Sequence, residues 1–405
     1  MNLAVAFASG PTLKKKILEA ILSYIQGPER EIISRCSRCR TLWIKSSNNC
    51  RAVRHIPENM KIKDRIIGGD APAFIVAELS ANHSKKLSIA LDTVRAARDS
   101  GADAVKLQHY KPDTITIDCD NEYFQITQGT IWDGTTLHKL YEDAYMPWEW
   151  TEAIMKTAEL CGLVCFSSPF DCEAVEFLES LDVPAFKIAS YEITDLPFIE
   201  YVAAKKKPII ISTGIAELYD ISEALEACRR MDNDDIVLLK CTSLYPAPLE
   251  EMNLRTIPDM KERFKTVVGI SDHTTGISVP IASVALGAKI VEKHIILNKS
   301  LETPDASFSV DPREFLDMTR GIREIEKALG NVTYELSEKG QKSREYSRSL
   351  FVITDLEKGA TVTSENVKSI RPGFGLPPKF LKTVVGRKVN RKVLKGTPLT
   401  WEILE

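Results

Sequence analysis

Two histidines in this 405-residue chain each end an apolar run. Thr266-Val267-Val268-Gly269-Ile270 leads into Ser271-Asp272-His273, and Ala288-Lys289-Ile290-Val291-Glu292-Lys293 leads into His294. Neutral imidazole is a common ligand for zinc, manganese, iron or nickel. Two imidazoles on one ion leave positions open for water and substrate, the arrangement of a catalytic centre. The chemistry on offer is Lewis-acid activation, provided that the fold brings the two rings together. A single histidine just past a strand is more often a satisfied turn residue.

The elements that must position them are short apolar runs separated by helical patterns. In order the runs are FIVAELS (74–80), ADAVKLQ (102–108), LVCFSSPF (163–170), AFKIAS (185–190), PIIISTG (208–214), IVLLKCTS (236–243), VVGISDHT (267–274) and AKIVEKH (288–294). Apolar residues three and four apart fill segments between and after them, from Leu87 to Ala97, Ile154 to Leu160, Ala174 to Leu181 and Phe315 to Leu329. Continuously apolar strands are buried on both faces, and their alternation with helices requires a parallel sheet. Eight such units predict a (β/α)8 barrel. The alternative is an open doubly wound sheet, but no Gly-x-Gly-x-x-Gly opens the first unit as its dinucleotide-binding version demands.

Active sites of such barrels lie at the C-terminal strand ends. The polar residues there are Glu78, Lys106 with Gln108, Ser167 with Ser168, Lys187 with Ser190, Ser212 with Thr213, Lys240 with Thr242 and Ser243, Ser271 to His273, and His294. Any one serine reads equally well as a helix cap. Lysines inside apolar strands, however, are costly to bury without anionic partners. Lys106, Lys187 and Lys240, with hydroxyls around one cavity, therefore predict a phosphate or carboxylate ligand.

Composition narrows the class. A net charge of −3 leaves no footprint for nucleic acid or an anionic membrane. No apolar run approaches the ~18–20 residues that span a bilayer. Nine cysteines without a regular framework fit reduced thiols in a cytoplasmic protein. Residues 1–59 read differently, with basic clusters and a Cys36-x-x-Cys39 that lacks the second pair a zinc ribbon needs. Glu19, Glu29 and Glu31 also weaken a presequence. The expectation is a disordered leader, or an extension foreign to the native protein, before a barrel over 60–330. Residues 331–347 read as a linker. Residues 348–405 read as a small domain of short strands and turns, marked by Lys358-Gly359 and Lys395-Gly396.

AELSANH (77–83), VKLQ (105–108), FSSPF (166–170), FKIAS (186–190), STG (212–214), CTSLYPAP (241–248), GISDHT (269–274), EKH (292–294) and PD (304–305) follow one another as in the sialic acid synthase family. The chain resembles that family from about Ile66 to Glu405. The resemblance implies condensation of phosphoenolpyruvate with an acylated amino-sugar aldehyde, giving a nine-carbon 2-keto sugar acid and phosphate. It implies a divalent metal, Mn2+ first and Mg2+ or Co2+ as alternatives, held by His273 and His294. It assigns Lys106, Ser168, Lys187, Ser190, Ser212 and Ser271 to phosphoenolpyruvate. Glu78, Glu192 and Asp305 become the catalytic carboxylates, and Tyr245 and Asp305 face the sugar. Ser168 stands where many members have threonine, and Ser243 where many have asparagine.

The last segment resembles the small antifreeze-like (SAF) domain, which in this family covers the partner's barrel in a swapped homodimer. Arg371, in Ile370-Arg371-Pro372-Gly373, matches the arginine that reaches the partner's sugar site. Leu79-Ser80, the segment 129–150 and TPDASFS (303–309) resemble the pseudaminic acid branch, whose sugar is a 2,4-diacetamido-2,4,6-trideoxy-L-altrose. Such a sugar favours apolar lining, for which Trp132, Trp148 and Trp150 compete with ordinary helix–barrel packing. Other readings are an N-acetylneuraminate or legionaminate synthase, an inactive sugar-binding protein, and an aldolase with a Schiff base at Lys187 or Lys240.

Overall fold

The computed structural model describes residues 59–127 and 129–405, with the backbone of three antiparallel strands before them, Ile33–Arg35, Leu42–Ser46 and Asn49–Val53. The Cys36 and Cys39 reading and the other leader expectations otherwise fall outside the described residues. The eight apolar runs are eight parallel strands: β1 Phe74–Glu78, β2 Ala104–His109, β3 Val164–Pro169, β4 Phe186–Ile188, β5 Ile209–Ser212, β6 Ile236–Cys241, β7 Val267–Asp272 and β8 Ile290–His294. Each pairs with the next, and β8 closes the barrel on β1 with Ile290 opposite Phe74 and His294 opposite Glu78.

Successive side chains on a strand point to opposite faces, which explains why whole runs are apolar. Val76, Ala104, Phe166, Ile210, Leu239, Val267 and Ile290 pack inside the barrel. Ile75, Val105, Ile209, Leu238, Val268 and Val291 face the surrounding helices. A hairpin that the run count did not include, Asn59–Ile62 paired with Arg65–Gly68, sends Met60, Ile62 and Ile67 into the inner cluster and plugs its N-terminal end. The opposite end is left to polar side chains.

Between those inward positions, Asp272 and Lys293 point outward, fully buried, and pair at 2.7 Å. Asp272 also accepts from Thr274 N and Oγ1, each at 3.1 Å, and Lys293 donates to the Thr274 carbonyl. Such a pair adds little over apolar residues, but stranding one charge costs about 3–5 kcal/mol. Lys293→Met is therefore expected to lose about that much stability in urea unfolding. The double variant Asp272→Asn/Lys293→Met recovers much of it, and an equal loss in both would show that the charges are not coupled.

Gly330–Glu405 forms a second compact unit. Ser337 caps a helix, Glu338–Arg344, inside the stretch read as a linker. Beyond it β9 Ser349–Val352 pairs antiparallel with β10 Val367–Ile370, over a core that includes Leu350, Val367, Val389 and Leu399. The two Lys-Gly turns hold Gly359 at φ 82° and Gly396 at φ 87°, a region that disfavours any side chain. Arg371 follows β10 and is exposed. Among the described residues no helix is long and apolar enough to cross a membrane.

Candidate active site

Strand alternation carries the inner face from apolar to polar at the C-terminal ends. It runs from Val76 to Glu78, from Ala104 to Lys106 and Gln108, from Phe166 to Ser168, and from Val267 through Ser271 to His273. On β8 it runs from Ile290 to Glu292 and His294. Lys106 Nζ lies 2.8 Å from Glu78 Oε2 and 3.4 Å from Glu292 Oε1, and Lys187 Nζ lies 3.4 Å from the same Glu292 oxygen. Lys106 also donates to Ser168 Oγ at 3.3 Å, Ser271 Oγ donates to Glu292 Oε1 at 2.9 Å, and Gln108 Nε2 donates to Glu78 Oε1 at 3.1 Å. Ser212 Oγ is buried with no hydrogen-bond partner among the described residues. Ser190 Oγ accepts from Gly214 N at 3.1 Å, and a Cβ on Gly214 would stand 2.7 Å from that hydroxyl, so only glycine lets the β5 end come this close.

Glu292, not among the residues expected at the site, sits at its centre between the two lysines. Burial alone would raise its pKa, but Lys106 and Lys187 outweigh that and bring it to about 2. Burial pushes Glu78 up to about 7 against the pull of Lys106. Near neutrality the cage thus holds one firmly ionised carboxylate and one that readily takes a proton, facing two lysines. It is short of negative charge and suited to an anion. Glu292 was legible in principle, because it stands two residues before His294 and so shares its face.

Strand alternation also corrects the expected ring. Lys240 lies on the outward face of β6 and donates to Thr242 Oγ1 at 3.1 Å and to the Cys241 carbonyl. Ser167 points outward too, meeting His109 Nδ1 at 2.6 Å in a cluster with Thr151. Two lysines therefore face the cavity, not three, and Lys240 is no candidate for a Schiff base there.

His273 and His294 come together with ring centres 5.2 Å apart. Two imidazoles bound to one tetrahedral ion at about 2.0–2.1 Å would place their centres roughly 5 Å apart, so the pair fits a shared ion. His273 Nδ1 lies 3.1 Å from the Thr242 carbonyl, which only an N–H can satisfy, leaving the Nε2 lone pair free. Burial pushes His294 down to about 4, so its ring is neutral. His294 Nδ1 has no hydrogen bond among the described residues and stands 3.5 Å from Asp305 Oδ2. Asp305, buried in the loop after β8, is held by Ser80 Oγ. Among the described residues no third His, Cys, Asp or Glu completes a metal cluster, so the protein would supply two ligands and leave the rest to water and substrate. Tyr245 packs against His273 with ring centres 4.4 Å apart.

Glu192 ends the short 3-10 turn Ser190–Glu192 after β4, and its buried Oε2 has no hydrogen-bond partner among the described residues. Burial pushes its pKa up to about 7. A raised carboxyl favours folding below its ordinary pKa of about 4.5, and that contribution is lost as pH rises through about 7. Glu192→Gln is therefore expected to gain about 1–3 kcal/mol on the parent between pH 5 and pH 8. Urea unfolding at both pH values checks this, and a difference independent of pH would place the carboxyl in water.

The NeuB family model matches residues 93–334, and the SAF domain model matches residues 347–405. The pseudaminic acid synthase of Campylobacter jejuni is 46% identical over 330 residues, covering 82% of this chain and 96% of that protein. The pseudaminic acid synthase of Helicobacter pylori is 45% identical over 335 residues, covering 82% of this chain and 98% of that protein. Among solved structures, the N-acetylneuraminic acid synthetase of Leptospira borgpetersenii in complex with citrate aligns with a TM-score of 0.64 at 28% identity, covering 72% of this chain and 97% of that one. With a closed barrel, a paired-histidine mouth and these matches over most of its length, the chain belongs to the NeuB family and ends in a SAF domain.

Proposed function

We propose that this chain is a phosphoenolpyruvate-dependent transferase that condenses phosphoenolpyruvate with 2,4-diacetamido-2,4,6-trideoxy-L-altrose to give pseudaminic acid and phosphate. The observation that carries this reading is the meeting, at one barrel mouth, of paired histidines with two lysines that share Glu292. Pseudaminic acid synthases among the relatives support the choice of sugar. His273 and His294 would hold a divalent metal, Mn2+ in the first place, which when bound would supply Lewis acidity toward the aldehyde oxygen and so make its carbon more electrophilic.

Lys106 and Lys187, with Ser168, Ser190, Ser212 and Ser271, hold the phosphate and carboxylate and keep the enol in near-attack geometry. Attack by C3 of the enol on the sugar carbonyl forms the new C–C bond and leaves positive charge at C2. Glu192 or Glu78, when ionised, faces that charge. Water adds at C2, and the tetrahedral intermediate breaks its C2–O bond to expel phosphate. A carboxyl near pH 7, as Glu78 is, gives and takes protons at working pH. Asp305 and Tyr245 orient the sugar.

Residues 348–405 serve as the SAF domain of a swapped homodimer, joined to a barrel over 60–330 by 331–347, with Arg371 reaching the partner's sugar site. Free, buried Cys165, Cys228 and Cys241 fit a reducing cytoplasm. The test is mass spectrometry of products from phosphoenolpyruvate and a panel of N-acylated hexoses, with phosphate release followed in parallel. Product from the diacetamido-trideoxy sugar is expected. Preferential turnover of N-acetylmannosamine would replace the sugar assignment, and no product from any hexose would leave a binding protein.

A further inference from the structure

The three tryptophans near the barrel mouth part company in the structure. Trp148 stacks on Phe177 at 4.9 Å, beside the outward His109, and Trp150 meets the edge of His83 at 5.6 Å. Both are helix–barrel packing. Trp132 alone reaches the site. It rises from the loop after β2 and crosses to the loops after β6 and β8, where its ring lies 5.4 Å from Tyr245 and its Nε1 donates to the Pro304 carbonyl at 3.0 Å. Pro304 immediately precedes Asp305, and Tyr245 rests on His273.

The loop is built to hold that ring still. Asp133 accepts from Gly129 N and Thr130 N, each at 2.8 Å, and Gly134 N donates to the Ile126 carbonyl at 3.1 Å. The mouth is therefore polarised. Lys106, Lys187, Glu78 and Glu292 make one side ionic, and Trp132 and Tyr245 make an aromatic side beside the two histidines, backed by buried Phe308 5.0 Å from His294.

We infer that Trp132 determines specificity for the acceptor sugar, forming an apolar wall that accepts a deoxygenated, methyl-bearing carbon and disfavours a hydroxylated one. The reason lies in its donor. The indole N–H is already spent on Pro304, so the ring offers a sugar hydroxyl no hydrogen bond, and a hydroxyl pressed against it loses water without compensation. Discrimination by an apolar wall of this kind is of the order of 10–100-fold. The inference rests on the proposed condensation with an N-acylated hexose.

The test compares kcat/KM for a 6-deoxy N-acylated hexose and its 6-hydroxy counterpart, at saturating phosphoenolpyruvate, in the parent, Trp132→Phe and Trp132→Gln. Trp132→Phe keeps an apolar ring and is expected to retain the preference within about threefold. Trp132→Gln is expected to lose roughly 10–100-fold in preference for the 6-deoxy sugar, with KM for phosphoenolpyruvate unchanged. An unchanged preference in Trp132→Gln overturns the inference, as does a KM for phosphoenolpyruvate that moves with it. A parent that turns over neither sugar would instead overturn the condensation reading.

Discussion

Replacing His273 or His294 by alanine is expected to abolish metal binding and turnover together. Removing an outer hydrogen-bond partner of a metal ligand already costs roughly 10–100-fold in affinity or activity. Removing one of the two proposed ligands should cost at least that much. The two rings are not interchangeable in how they are prepared. His273 is fixed by the Thr242 carbonyl at 3.1 Å, which sets the tautomer, whereas His294 is kept neutral by burial, at about 4, beside a carboxylate. His294→Ala also removes the ring that stands 3.5 Å from Asp305, which keeps its hydrogen bond from Ser80 Oγ. Metal content of purified protein and titration calorimetry with Mn2+ read the first effect, and phosphate release reads the second. Either variant regaining parental activity after chelation and metal repletion would remove that residue from the metal site.

Much of this arrangement was legible because burial on both strand faces leaves a strong trace. A strand that fills a barrel on one side and meets a helix on the other has no position for a polar residue until its end, so the polar ends stood out. The two histidines stood out for the same reason. What escaped was which polar residue faces which way. Lys240 and Lys187 look alike in sequence, but Lys240 follows inward Leu239 by one residue and so turns outward. Glu292 was overlooked because a glutamate beside a lysine reads as solvated surface until its partners on β2 and β4 are known. That Trp132, unlike Trp148 and Trp150, reaches the mouth depends on a loop that crosses it, and the hairpin at 59–68 depends on burial at its far end. Neither has a local signal.

Lys106→Met is expected to lower kcat/KM for phosphoenolpyruvate by about 10^2 to 10^4. Lys106 is almost fully buried, and its ammonium serves Glu78, Glu292 and Ser168 at once. Without it, Glu292 keeps only Lys187 as a cationic partner, 3.4 Å away, and Glu78 loses its own at 2.8 Å. Removing one cationic partner of a buried, hydrogen-bonded anion costs about 2–5 kcal/mol of binding, and each 1.4 kcal/mol is tenfold in an equilibrium constant. The sign with pH follows from the same contacts. Glu78, already raised to about 7 by burial against the pull of Lys106, should rise further once that cation is gone. It then stays protonated at neutral pH, so part of the lost anion binding should return as pH falls from 8 through that raised pKa, where one fewer negative charge opposes the ligand. Lys106→Arg should not rescue, because a planar fork cannot replace a compact ammonium among three close oxygens. The KM for the sugar should move little, since the aromatic side of the mouth is untouched. Initial rates against both substrates, at pH 6 and pH 8, decide the matter. A kcat/KM for phosphoenolpyruvate within threefold of the parent at both would mean that the lysine cage is structural and that the phosphate is recognised elsewhere.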